Sequence, residues 1–492
     1  MAFSTKRAST GALLERELRA VLGPEAVVTG AATGRYRFDQ TEGRGVRGHP
    51  DAVVLPSSAD EVRAAVAWCY EHDVAIVARG GGSGFAGGAV PLDGGVVIGL
   101  ERLSSVRSLE PLLWRGEFEA GVRTADVRRL ARENGLLFPP DPGAAEQSQI
   151  GGNIATNAGG PHAFRYGATG NWVTGLEAVV APGEVVAFGG RTRKDVAGYD
   201  LKNLLIGSEG TLGLITAAWL RFIPTPEAVL PVYAFYADSA SGSAAVEAVL
   251  GNGLRAAALE YLDAGTLAVS AATFPWVVPE DAGFLLVAEA DGSRAEAERL
   301  RDGLVDVLSA DSLAVGTPAS RAEVESLWQW RDGVSLAVSA KHGGKVSEDI
   351  AVPVDRLAEA IEGTLEIGRR HRLEACSWGH AGDGNVHSTL LIDPADDDQL
   401  TRAHAASDEL LQLATDLGGS VSGEHGLGWV RSGELERQWA DQALDLHEHI
   451  KHVFDPKGLF NPGKKRARSA PPGVPAEPMV DPGAVGGPDE QR

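Results

Sequence analysis

Apolar and polar positions run along this chain in two rhythms. Short β-branched runs read as strands, and apolar residues spaced three and four apart read as helices. DAVVLP (residues 51–56) predicts a buried strand, and SSADEVRAAVAWCYEHD predicts a helix opened by Ser58 and Glu61 at capping-box spacing. VAIVAR (74–79), GGVVIGL (94–100) and LITAAWL (214–220) predict further strands. Near the N-terminus, ALLERELRAVLG carries the stripe of an amphipathic helix. From about 228 to 415, helical segments such as SRAEAERLRDGLVDVLS alternate with strands such as GFLLVAEA, an α+β pattern. ALDLHEHIKHVF (443–454) is a late helix. Pro224 and Pro226 in RFIPTPE (221–227) break the pattern and mark a boundary. The expected division is 1–222, 223–415, a C-terminal segment 416–463, and a tail 464–492. That tail is rich in proline, poor in large apolar residues and predicted to be disordered.

The strand at 74–79 ends in ARGGGSGFAGGAV (78–90). It holds a Gly-x-Gly-x-x-Gly at Gly82, Gly84 and Gly87, with Glu101 about where a Rossmann dinucleotide site keeps its ribose-binding acid. The context excludes that site. A Rossmann loop must lead into a helix facing the pyrophosphate. Here Gly87, Gly88 and Pro91 block a helix, and the next element is a strand. Dense glycine still bares backbone N–H groups and permits positive φ, which suits an anion such as phosphate; a flexible hairpin is the competing account. Three more such stretches follow: the stiff turn PPDPG (139–143), IGGNIATNAGG (150–160) and GSEGTLG (207–213). Four within about 130 residues imply an extended ligand lying across several turns, because close approach to a ligand is a standard use of glycine.

At 492 residues the chain is long enough for two or three domains, and its 43% hydrophobic content fits a soluble globular protein. A formal charge of −22, from 67 acids against 45 bases, argues against a nucleic-acid partner. Cys69 and Cys376 sit in periodic apolar segments and read as buried thiols; two cysteines are too few for an iron–sulfur cluster. No apolar run is long enough to span a bilayer, and Lys6 and Arg7 precede no apolar signal core. A cytoplasmic protein is expected, at most peripheral at the inner face of the membrane.

GHAGDGNVH (379–387) sets His380 and His387 at an odd spacing, which puts them on opposite faces of a straight strand. A hairpin removes the conflict. EACSW and VHSTLLI are strand-like, and Asp383-Gly384 is a strong turn dipeptide. Pairing across that turn can set the imidazoles opposite one another with Cβ atoms about 5 Å apart, which suits two ligands on one metal. SGEHGLG (422–428) can add Glu424 as the third. Two imidazoles and a carboxylate with open positions fit Zn²⁺, and also Mn²⁺ or Fe²⁺. Hydrogen-bonded core histidines are the alternative. His425 follows Glu424 directly and is expected to point elsewhere.

Eight runs then stand in order across roughly residues 50 to 465: RGGGSGFAGGAVP, FPPDPG, IGGNIATNAGGPHAFRYG, GYDLKNLLIGSEGTLGLIT, KVSEDIAVP, GHAGDGNVH, SGEHGLG and FDPKGLFNPGK. With them the chain resembles the flavoprotein family of D-lactate dehydrogenase and the glycolate oxidase D subunit. That family lies within the vanillyl-alcohol oxidase / p-cresol methylhydroxylase superfamily. The resemblance implies a two-subdomain α+β FAD-binding fold, then an α+β substrate (cap) domain with an antiparallel sheet, then a C-terminal helical segment completing the active site. It implies FAD contacts at Arg79, Gly80, Gly81, Gly82, Ser83, Gly84, Gly88, Pro140, Asp141, Gly151, Gly152, Asn153, Thr156, Gly160 and Glu209. Asn461 is read as reaching the flavin edge, with a helix-ending Asn-Pro turn as the alternative. Some relatives tether FAD through a histidine of the phosphate loop. No histidine occurs between His72 and His162, so FAD is expected to be non-covalent.

The same resemblance matches His380, His387 and Glu424 to the ligands of metal-dependent members, and makes His425 the base. It places Arg331 and Lys345 as cations on the substrate carboxylate. The activity implied is FAD-dependent, metal-assisted oxidation of a D-2-hydroxy acid (D-lactate or glycolate) to the 2-oxo acid, with hydride passing to flavin N5. The electron acceptor is a quinone, a cytochrome or an iron–sulfur subunit, and a homodimer or a complex with glycolate oxidase subunits is implied as well. Two alternatives stay open: a D-2-hydroxyglutarate dehydrogenase, and a flavin-bearing electron-transfer or structural subunit without substrate chemistry.

Overall fold

A computed structural model describes residues 13–41 and 45–469 of the chain. The disorder expected over 470–492 lies outside the described residues. The amphipathic N-terminal segment is helical over 13–22 and buries Leu14 and Leu18 against the first sheet. In that sheet Val96–Gly99 lies between Ala52–Val54 and Ile76–Arg79, parallel to both, and Val27–Val28 closes one edge antiparallel. The helix Ala59–Glu71 carries the chain across the sheet and buries Val62, Ala65, Val66 and Cys69. Only half of its capping box forms. Ser58 Oγ accepts the Glu61 N–H at 3.2 Å, but the Glu61 carboxylate returns to Ser57 N at 2.7 Å instead of to Ser58. Between Arg79 and Val96 the chain makes turns and no helix, as its glycines and proline require.

A second sheet of five antiparallel strands has the order Val106–Glu110, Arg115–Glu119, Leu214–Arg221, Val173–Val180, Glu184–Gly189. The helix Ile150–Thr156 packs beside it, with Ile150 and Ile154 fully buried. Its residues lie within IGGNIATNAGG, so part of one expected glycine loop is helical. The two isoleucines stand four apart on one face, and that apolar anchor outweighs the low helix propensity of Gly151 and Gly152.

The third sheet has seven antiparallel strands, in the order Ala314–Gly316, Ala228–Tyr236, Phe284–Gly292, Leu259–Asp263, Glu374–His380, Asn385–Ile392, Gly344–Ala351. Val232, Ala234 and Tyr236 face one core while Tyr233 and Phe235 face another. Both faces are covered, which is why its strands read as continuous apolar runs instead of alternating ones.

The C-terminal segment then ties the halves together. After the helix Asp441–Phe454, Phe460 bridges to Ile76 in parallel at the edge of the first sheet. Residues 464–469, expected to belong to the disordered tail, are instead packed into the fold. Lys464 and Ala467 are buried, and Arg468 pairs with Asp445 at 2.8 Å. A composition averaged over 464–492 hides these six anchored residues. Cys69 and Cys376 are buried free thiols. No helix among the described residues is long and apolar enough to cross a membrane.

Candidate active site

A cavity of about 1110 Å³ extends from the glycine loop after Arg79 to the histidine hairpin. Of the sequence-derived cofactor residues, Arg79 to Gly84, Gly88, Asp141, Gly151, Gly152, Asn153, Thr156, Gly160 and Glu209 line it, and Arg331, Lys345, His380, His387, Glu424 and His425 line it further along. Pro140 and Asn461 do not. Pro140 is buried behind the wall that Pro139 forms. Asn461 turns its amide to Glu209 O (2.7 Å) and Gly88 O (3.3 Å), so it braces the loop from behind.

The glycines divide into two kinds. At Gly82, φ is 68° and a Cβ would run into the Arg79 guanidinium, so glycine is demanded by the protein itself. Arg79 in turn donates to Phe38 O at 2.8 Å and Arg35 O at 3.1 Å, holding the loop from below. At Gly84 and Gly88 a Cβ would meet no protein atom within 4 Å. The bare backbone there faces space that a closely approaching group would fill, and it fits the FAD expected from the motifs. Glu209 has a different task. Its carboxylate accepts Leu427 N (3.0 Å) and Gly428 N (2.6 Å), fastening the segment after His425 to the cofactor side of the cavity.

The hairpin forms, with a different register from the one expected. His380 pairs with Asn385, and Trp378 pairs with His387. The histidines are therefore diagonal neighbours on one face, with ring centroids 5.6 Å apart. The turn needs Gly384 at φ 73°, where a Cβ would strike the Val352 carbonyl. Three imidazole Nε2 atoms converge on Glu424 Oε1: His380 at 3.5 Å, His387 at 3.7 Å and His425 at 3.8 Å. His425 thus points into the cluster, contrary to the expectation that it points elsewhere. Residues 424 and 425 lie in an irregular turn, where neighbouring side chains need not alternate. The His425 ring stacks on His387 at 5.5 Å and packs on Phe85 of the glycine loop at 4.8 Å.

The donor set fits a divalent metal. His380 Nε2 and His387 Nδ1 are buried without a hydrogen-bond partner. The ligand atoms that lie within 4.8 Å of one another belong to Asp349, His387, Glu424 and His425; this group takes in His425 and leaves out His380, unlike the set expected from the sequence. Asp349 serves the loop more than the cluster: it accepts Glu424 N (2.9 Å), His425 N (2.7 Å) and Asn385 Nδ2 (2.7 Å). Burial opposes its charge, yet His425, His387 and Arg431 hold its carboxyl below the usual carboxylate range. Burial pushes His387 down to about 3 and keeps it neutral, as a ligand must be. Burial likewise opposes the charge of Glu424, but the neighbouring imidazoles of His380, His425 and His387 bring it to about 2. His380 is raised, against burial, by Glu260 and Glu424, so a proton balances two carboxylates where a bound cation would do the same.

Arg331 and Lys345 reach the wall already engaged. Arg331 Nε donates to Glu260 Oε2 at 2.8 Å. Lys345 Nζ donates to Ser335 Oγ at 2.5 Å and lies 4.9 Å from the Trp378 ring centre. Sequence reasoning missed Glu260, Asp349 and Phe85. The available signal for the first two was an acid inside an apolar strand, at ALEYLDA and KVSEDIAVP, where carboxylates are seldom buried unpaired.

Two family profiles match the chain: "FAD binding domain" over residues 50–189 and "FAD linked oxidases, C-terminal domain" over 225–465. The chain is 34% identical over 467 residues to the glycolate oxidase subunit GlcD of Bacillus subtilis, covering 94% of this chain and 99% of that one. It is 34% identical to a D-lactate dehydrogenase of Archaeoglobus fulgidus, covering 87% and 95%. Its fold matches that of p-cresol methylhydroxylase with substrate bound, at a TM-score of 0.76 and 16% identity over 95% of this chain and 98% of that one. The chain belongs to the FAD-linked oxidoreductase family of glycolate oxidase D subunits and D-lactate dehydrogenases, built on the vanillyl-alcohol oxidase fold.

Proposed function

We propose that the protein oxidises a short D-2-hydroxy acid, D-lactate or glycolate, to the 2-oxo acid, using non-covalent FAD and a divalent metal held by His380, His387 and Glu424. One observation carries this reading: a single cavity joins a glycine cradle to three imidazoles gathered around Glu424. When bound, FAD supplies a two-electron acceptor at N5, and the metal supplies a Lewis acid that lowers the pKa of the substrate hydroxyl. The chain's own groups do the rest. His425, set between Phe85 and His387, accepts the hydroxyl proton at Nε2. Arg331 and Lys345 hold the substrate carboxylate at the cavity wall. His162 also lines the cavity, but Asp141 (2.5 Å) and Glu289 (2.8 Å) engage both its nitrogens, which supports FAD without a covalent tether.

Reoxidation falls to an outside acceptor: a quinone, a cytochrome or an iron–sulfur subunit. The likeness to GlcD supports assembly with other glycolate oxidase subunits, in the cytoplasm or at the inner face of the membrane. The test is anaerobic flavin bleaching by a panel of D- and L-2-hydroxy acids, beside elemental analysis and acid release of the flavin. D-Lactate or glycolate should bleach the flavin, and acid should release intact FAD. Bleaching by D-2-hydroxyglutarate alone would move the protein to that substrate. Bleaching by none of them would leave an electron-transfer subunit.

A further inference from the structure

Glu260 serves two donors at once. It lies on the strand Leu259–Asp263, directly paired with His380 across the sheet, and is fully buried. Its Oε1 accepts His380 Nδ1 at 2.6 Å. Its Oε2 accepts Arg331 Nε at 2.8 Å and also Arg331 Nη2. Arg331 arrives from the helix Arg321–His342, 71 residues along the chain. A buried ionic group of this kind is weak evidence of a gain in stability, because desolvation offsets the attraction. Its geometry does have a clear consequence. The neutral ring with its proton on His380 Nδ1 presents the Nε2 lone pair, and Nε2 lies 3.5 Å from Glu424 Oε1 without a hydrogen-bond partner, where a bound cation would take the place of the second proton.

Resting on the metal and substrate roles proposed above, we propose that Glu260 is a positioning residue that couples the two binding events. One carboxylate fixes the ring and tautomer of His380 toward the metal, and the fork of Arg331 toward the substrate carboxylate. Two donors need two acceptor oxygens. Glutamate has both, whereas glutamine has one, and its amide N–H₂ would confront whichever donor it failed to serve. Removing Arg331 from the glutamine variant relieves that confrontation and lets the amide oxygen serve His380 alone.

The test compares wild type, Glu260→Gln and Glu260→Gln/Arg331→Met as FAD-loaded enzymes stripped of metal with a chelator. FAD content and melting temperature are checked first. Zn²⁺ titration should show the single variant binding about 10–100-fold more weakly. Its KM for D-lactate should rise roughly tenfold or more, the scale of a lost charge-assisted hydrogen bond. The double variant should recover Zn²⁺ affinity to within about threefold of wild type while its KM stays high. Spectra of ¹⁵N-histidine-labelled enzyme should show the His380 Nδ1–H in wild type and in the double variant, and its loss in the single one. Unchanged Zn²⁺ affinity and KM in the single variant would overturn the proposal, as would a double variant no better than the single at binding Zn²⁺. If wild type itself takes up no divalent metal, the metal reading fails separately. The Nδ1–H signal and KM then decide the role of Glu260. Should Glu260→Gln not fold, Glu260→Asp keeps both oxygens one methylene further back and should show the same losses at about three- to tenfold.

Discussion

At His425 a proton acceptor and a metal ligand would occupy nearly the same place, since its Nε2 sits 3.8 Å from Glu424 Oε1 beside two other imidazoles. Substitution separates the roles. His380→Ala or His387→Ala should remove metal and activity together, because two remaining protein ligands hold a divalent ion poorly. His425→Ala should keep both metal and FAD while slowing flavin reduction by roughly 10²–10⁴, the contribution of a positioned base. Elemental analysis beside stopped-flow reduction decides it; a His425→Ala enzyme without metal would make His425 a ligand and place the base elsewhere. The histidines and Glu424 were legible because their motifs are local. Glu260 was not, since its meaning depends on His380, 120 residues away across the sheet. Asp349 was hidden likewise, as its partners lie 36 to 76 residues on.

Among the elements, the glycine loop and the hairpin show what periodicity reaches and what it misses. Strand, helix, strand, loop, strand was readable from Ala52 to Gly99, because β-branched runs and a capping serine mark those boundaries. The loop's rejection as a Rossmann motif followed from Pro91 and the glycines around it. Hidden from the sequence were which glycines face the cavity and which register the hairpin takes, because both depend on contacts between distant segments. Gly84 and Gly82 separate these cases experimentally. Gly84→Val should leave the flavin-free chain as stable as wild type, since nothing lies within 4 Å of its Cβ. It should weaken FAD binding tenfold or more, about 1.4 kcal/mol. Gly82→Ala should instead destabilise the flavin-free chain by about 1–3 kcal/mol, through its positive φ and the Arg79 guanidinium. Thermal unfolding and FAD titration of the two variants check this. A Gly84→Val chain that binds FAD normally would remove that position from the cofactor site.

Across the whole molecule, the C-terminal segment joins the cofactor half to the hairpin half. On the cofactor side Lys464 donates to Gly88 O at 2.8 Å and Lys465 meets Glu209 at 2.9 Å, while Leu444 and Ala467 belong to the core that holds Ala381 and Val386 of the hairpin. The parallel bridge between Ile76 and Phe460 pairs distant parts of the chain, so no local pattern announces it. Deleting 470–492 should leave turnover with a soluble artificial acceptor unchanged, because that stretch lacks core-forming residues. Deleting 464–492 should lower the melting temperature by several degrees, about 1–2 kcal/mol of stability or more. Melting curves of the two truncations distinguish these outcomes. Lys464 also adds a dependence on pH. Burial pushes its amine down from 10.5 to about 7, against the pull of Asp39 and Glu209. Between those values the unfolded chain binds a proton that the folded chain does not, so folding becomes more favourable as pH rises, and the cost of the buried amine is greatest below pH 7. Lys464→Met carries no such proton and removes this part of the slope. Denaturant midpoints of the flavin-free chains should therefore move in favour of wild type over Lys464→Met between pH 7 and 9, by up to about 2 kcal/mol. Parallel pH profiles for the two chains would show that the amine keeps its ordinary affinity for protons. Lys464 would then lie in contact with water, and the segment would not be packed against the phosphate loop.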